Sequence, residues 1–90
     1  MKVFGINTKV LSWLSLELEK QDEKWGEDRH QENYTWLAIA LEELGESSQA
    51  ILHDNYGGEH AGTIKKELIQ LTCVCLQWLN DIEIQERGSE

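Results

Sequence analysis

Glu43 and Glu46 stand three residues apart in Leu41-Glu42-Glu43-Leu44-Gly45-Glu46, and Glu67 follows on the next apolar segment, in Glu67-Leu68-Ile69-Gln70. Side chains three apart on a helix share a face, with about 5–6 Å between their Cβ atoms. Two carboxylates that close repel each other unless a cation lies between them. An all-oxygen, multiply negative donor set is hard, so it selects Mg2+ or Mn2+ over zinc.

Other residues that invite chemistry carry less. Cys73 and Cys75 are two apart, which on a helix turns them about 200° away from each other. They can neither chelate one ion nor form a disulfide together, and they read as small buried or interface side chains. Gly57-Gly58 is a turn rather than a phosphate cradle, because no strand precedes it and no Lys-Ser/Thr pair follows.

The elements that must position the acids follow from periodicity. Leu11, Leu14, Leu18, Gln21 and Trp25 recur at helical steps after Thr8, the expected cap, so the first helix spans about 8–25 and ends at Gly26. The second spans 33–54, with Trp36, Leu37, Ala40, Leu44, Ser47 and Ile51 on its expected inner stripe. Thr63 is the expected cap of the third, 63–85, whose stripe is Ile64, Leu68, Leu71, Cys75, Trp78, Leu79 and Ile82. The loop around Gly57-Gly58 folds helices two and three into an antiparallel hairpin. Strand signal is nearly absent, and Glu86 to Glu90 are expected to fray. The fold class is therefore all-α: a helical hairpin plus an N-terminal helix in one domain, 1–90.

On those helices the acids fall in semi-apolar settings. Glu43 borders the inner stripe of the second helix, and Glu46 shares a sector with Ile39 and Ala50. Glu67 is bracketed by Ile64, Leu71, Val74 and Trp78, whereas Glu42, Gly45 and Gln49 lie on the outer side. Burying such acids unpaired costs several kcal/mol, so a bound cation or a lysine from another helix has to compensate. An ordinary solvated acidic face is the alternative.

The chain resembles the MazG-like all-α nucleoside triphosphate pyrophosphohydrolases, whose hallmark is an ExxE pair on one helix and an ExxD pair on the next. Here these are Glu43-Leu44-Gly45-Glu46 and Glu67-Leu68-Ile69-Gln70, preceded by Gln21-Asp22-Glu23-Lys24-Trp25-Gly26 and His30 as in small phage and bacterial members. The resemblance covers roughly residues 17–82. It implies Mg2+, or Mn2+, held by Glu43, Glu46 and Glu67 with Gln70 at the fourth position. It also implies water attack on a nucleoside triphosphate, with release of the monophosphate and pyrophosphate. Glu46 is the candidate for orienting that water, and Lys24, Trp25 and His30 are the substrate-binding candidates. Gln70 departs from the pattern: an amide oxygen is a weaker ligand than the family's aspartate, and the site loses one negative charge.

Each candidate also has a plainer reading. Trp25 continues the first helical stripe and suits core packing, and His30 suits a solvated loop. Trp36 and Trp78 suit core or interface anchors. His53, on the side of Glu46, is a weak candidate for supporting the ligands.

Composition bounds the partners. Seventeen acidic and eight basic residues give a formal charge of −9, which disfavours nucleic acid. No apolar run is long enough for a bilayer and no signal pattern appears, so the expectation is a cytoplasmic protein without membrane contact. A 90-residue chain buries little core. Self-association into a dimer or larger four-helix-bundle-type oligomer is expected to supply the rest. The rival to the enzyme is a non-catalytic bundle that binds nucleotide or protein, a reading that Gln70 favours.

Overall fold

A computed structural model describes residues 1–88. Two short strands, β1 (Lys2–Val3) and β2 (Ile6–Asn7), precede three helices: α1 (Thr8–Trp25), α2 (Asn33–Tyr56) and α3 (Ile64–Gly88). The β-hairpin was not legible from periodicity. Two-residue strands offer no alternation to read, and the pair is made by its turn. Phe4 and Gly5 both take positive φ, 54° and 78°, as a two-residue hairpin loop of matching twist demands.

The helices occupy the segments expected, with corrected ends. Asn7, not Thr8, caps α1: its Oδ1 accepts the Lys9 N–H at 2.8 Å. α1 and α2 stop at Gly26 and Gly57, whose N–H groups return to the carbonyls of Asp22 and His53. Thr63 precedes α3, but its hydroxyl donates backward to the His60 carbonyl, 2.6 Å, instead of capping the helix. Of the tail expected to fray, Glu86–Gly88 continue α3. Ser89 and Glu90 lie outside the described residues.

α3 is the central element. α2 runs antiparallel to it, with Trp36 against Asp81 at one end and Glu46 near Glu67 at the other. α1 runs parallel to α3: Lys65 lies over Trp13, the Cys73 thiol donates to the Leu14 carbonyl, and Asn80 reaches Asp28. No helix among the described residues is long and apolar enough to cross a membrane.

The buried set is small and mixed: Trp36, Ala50, Cys73 and Val74 with Ser47, Glu67 and Asp81. Two expected stripes are thereby corrected. On α2, Leu37, Leu44 and Ile51 are about half exposed, while Ser47 and Ala50 are buried and Glu43 and Glu46 half-buried. On α3 the inner cysteine is Cys73, with Cys75, Leu68 and Leu79 exposed. The reason is steric. α2 carries apolar residues on two sides, and its small residues Ser47 and Ala50 let the backbone approach α3, leaving the leucines outside. Leu11 and Trp25 of α1 are exposed as well, because only one side of α1 meets α3.

Candidate metal centre

Three helical turns build the acidic site. α2 presents Glu43 and Glu46 one turn apart, and α3 presents Glu67 from its first turn. One carboxylate oxygen from each lies within 4.8 Å of the others. Glu67 is only 5% exposed. Glu43 Oε2 and Glu67 Oε2 are buried without a hydrogen-bond partner.

No lysine or arginine among the described residues forms an ion pair with these carboxylates. Their electrostatics show the strain. Burial raises the Glu43 pKa, and the charges of Glu46, Glu67, Glu42 and Glu17 raise it further. Burial likewise raises that of Glu67, followed by a hydrogen bond to Glu46 and its charge; Lys66 and His60 only partly offset this. The cluster thus lacks the positive charge its burial calls for.

The donor set fits a hard divalent cation. In an octahedron of oxygens at about 2.1 Å from Mg2+, neighbouring ligands are about 3 Å apart and opposite ones about 4.2 Å, so small side-chain rotations close this triad on the ion. Gln70, one turn beyond Glu67, is half-buried beside the cluster's helix face. Its neutral amide adds no charge to the triad.

The structure places the expected substrate residues elsewhere. Lys24 stacks its ammonium over the Trp25 ring, 5.0 Å from the centroid, at the C-terminal end of α1. Trp25 is half exposed, so it belongs to no core. His30 is not a free loop histidine: its Nδ1 lies 2.8 Å from Asp81 Oδ1. Asp81 is fourteen residues beyond Glu67 on α3, about 21 Å along the axis, so His30 does not face the acidic triad. His53 is a turn-holding residue rather than a ligand support. Its Nδ1 accepts the His60 N–H at 2.9 Å and the two rings pack 5.1 Å apart.

Asp81 is the residue that sequence reading missed. Besides His30, its carboxylate accepts the Gln31 N–H at 3.0 Å and the Trp36 indole N–H at 2.8 Å, pinning the α1–α2 loop to α3. Burial alone would raise its pKa, but these donors reverse that and hold it well below the usual carboxylate range. The same pairing raises His30. An acid flanked by Trp78 and Ile82 was the available signal. Trp36 is fully buried as an anchor, and Trp78 is half-buried with its indole N–H on Asn33 Oδ1 at 3.0 Å. Arg29, also missed, lies between the Trp25 and Trp36 rings, 5.4 and 4.8 Å from their centroids.

Neither cysteine is bridged; burial pushes the Cys73 thiol up to about 11, which suits packing and not reactivity. No family model, curated protein or solved structure matches the chain.

Proposed function

We propose that the chain is a divalent-metal-dependent hydrolase that converts a nucleoside triphosphate to its monophosphate and pyrophosphate. The observation that carries this reading is the triad itself: Glu43, Glu46 and Glu67 converge from two helices, one of them almost fully buried, with unpaired buried oxygens and no basic partner. A structural ion pair would have supplied a lysine, and a solvated face would not bury Glu67. The resemblance of the ExxE and ExxQ spacing to MazG-like enzymes supplies the reaction class.

Glu43, Glu46 and Glu67 would hold the ion, Mg2+ or Mn2+, with Gln70 at the periphery. When bound, the metal neutralises phosphate charge and makes water more acidic. Glu46, half-buried and with a carboxylate oxygen within 4.8 Å of one on Glu67, would orient the attacking water. Within one chain, Lys24, Trp25 and His30 have no contact among the described residues that brings them to this triad.

Self-association belongs to the same reading. The accessible surface, 6627 Å2, exceeds the about 5,400 Å2 expected for a compact chain of this mass. Leu37, Leu41, Leu44 and Ile51 supply an outer stripe on α2 at steps of four, three and seven residues, a spacing that keeps them on one helix face. A second copy seated on this face would build a four-helix core from two α2–α3 hairpins.

The reading is tested by pyrophosphate release across common and damaged deoxynucleoside triphosphates, with Mg2+ and then Mn2+. Metal-dependent turnover is expected, abolished by Glu67→Gln and increased by Gln70→Asp, which returns the missing charge. The non-catalytic alternative, favoured by Gln70, predicts no turnover with any substrate or metal.

A further inference from the structure

The chain has only eight basic residues among ninety, yet three of them, Lys20, Lys65 and Lys66, line a single cleft between α1 and α3. Trp13 and Glu17 share its walls, and its volume is about 270 Å3. None of the three lysines forms an ion pair among the described residues, although the chain carries seventeen acids. The one contact of a cation here is aromatic: Lys65 Nζ lies 3.7 Å from the Trp13 ring centroid.

Their position on α3 adds to this. Lys65 and Lys66 occupy the first turn, where the exposed backbone N–H groups already create positive potential and a cation is disfavoured by about 0.3–1 kcal/mol. Lysines that merely balanced the acidic surface would be better placed at the other end of the helix. Grouped here, three ammonium groups and a helix N-terminus concentrate positive charge between α1 and α3, the helix that also carries Glu67. Lys66 directly precedes Glu67, and Glu17 on the opposite wall lies close enough to Glu43 for its charge to be felt there.

We propose that this cleft holds the polyphosphate chain of the substrate, with Lys20, Lys65 and Lys66 binding the phosphates that extend from those resting on the Glu43, Glu46 and Glu67 centre. The inference rests on the metal-dependent hydrolase reading above and names the binding residues it lacked. Three lysines lining one cleft from two helices suit the several separate charges of a polyphosphate, which needs no planar fork. Lys65 leaves the Trp13 ring as it turns to a phosphate, so ligand binding alters Trp13 emission.

The test is calorimetric titration of the full chain with inorganic tripolyphosphate, a deoxynucleoside triphosphate and the matching monophosphate, at fixed ionic strength, first with a chelator and then with Mn2+. The variants are Lys65→Gln/Lys66→Gln and Lys20→Gln, exposed or rim positions whose stems are largely kept, with melting temperature as the check on folding. Expected is binding of both triphosphates well above the monophosphate, weakened about tenfold or more in the double variant, while its Mn2+ affinity does not fall. Trp13→Phe should keep the calorimetric binding and lose most of the fluorescence change. Triphosphate affinity indifferent to all three lysines, or no triphosphate binding by the wild-type chain, would overturn the proposal. Tripolyphosphate binding without nucleotide binding would overturn the assignment to a nucleotide. If Mn2+ does not bind at all while the lysine-dependent phosphate binding persists, the metal reading fails and the cleft stands.

Discussion

Two groups of titratable residues act in different ways on stability. Glu43 and Glu67 have pKa values raised in the fold above about 4.3, the value of an unfolded glutamate. A raised value means that the cluster favours folding below the unfolded pKa and that this contribution is lost as pH rises through the folded values. The metal-free chain should therefore melt at progressively lower temperature as pH rises above about 4.3. His30, raised by Asp81, adds to that fall above its own unfolded value, about 6.5. Asp81 is depressed, so its contribution is present above about 3.9 and is lost only under strong acid. Millimolar Mg2+ should flatten the profile by compensating the carboxylates, and Glu67→Gln should flatten its lower part, leaving the His30 part. Melting curves across pH with a chelator and with Mg2+ check this. A metal-free melting temperature that rises from mild acid to neutrality would contradict it.

At the scale of the helices, α2 and α3 were readable because length, apolar period and the Gly57-Gly58 break all agree. Which side of α2 faces inward was not. Leu37, Leu44 and Ile51 make one apolar face, and Trp36, Ser47 and Ala50 another, so period alone cannot choose between them; packing against α3 selects the face with small residues. Glu43 and Glu46 were legible because a three-residue spacing fixes side chains on one face whatever the tertiary contacts, and Glu67 because apolar residues bracket it on α3. The Asp81 clamp and the lysine cleft were not, because each joins residues through the placement of α1 and its loop, which no local pattern encodes. The turn between α2 and α3 aligns the triad, and it depends on Gly58. A Cβ there would lie 2.5 Å from His53 Cγ, at a φ of +147°. Gly62 has positive φ too, +82°, but open space around it. Gly62→Ala should cost about 1 kcal/mol of backbone strain. Gly58→Ala should cost about 3 kcal/mol or more, because the His53 ring is held by His60 and cannot easily move aside. Denaturant unfolding of both variants measures the difference, and equal losses would show that the His53 contact does not matter.

The molecule as a whole is open. Its radius of gyration, 15.0 Å, compares with about 12 Å for a compact chain of this length. The surplus surface is of the order of the about 800 Å2 per partner that a standard interface covers, and the leucines of α2 are among the large apolar side chains exposed. The chain should sediment as a dimer or larger at micromolar concentration. Leu41→Glu, at a position 57% exposed in the isolated chain, should yield monomers without destroying the α2–α3 contact. Wild-type chain sedimenting as a stable folded monomer would contradict self-association through this face.

Mn2+ titration followed by electron paramagnetic resonance asks, without relying on turnover, whether the chain binds a divalent cation through Glu43, Glu46 and Glu67. The wild-type chain should take up Mn2+ in competition with Mg2+. Glu67→Gln, nearly isosteric, should weaken that uptake about tenfold or more, and Gln70→Asp should tighten it. Mn2+ bound equally by wild type and Glu67→Gln, or not bound at millimolar concentration, would rule out a cation centre at this triad.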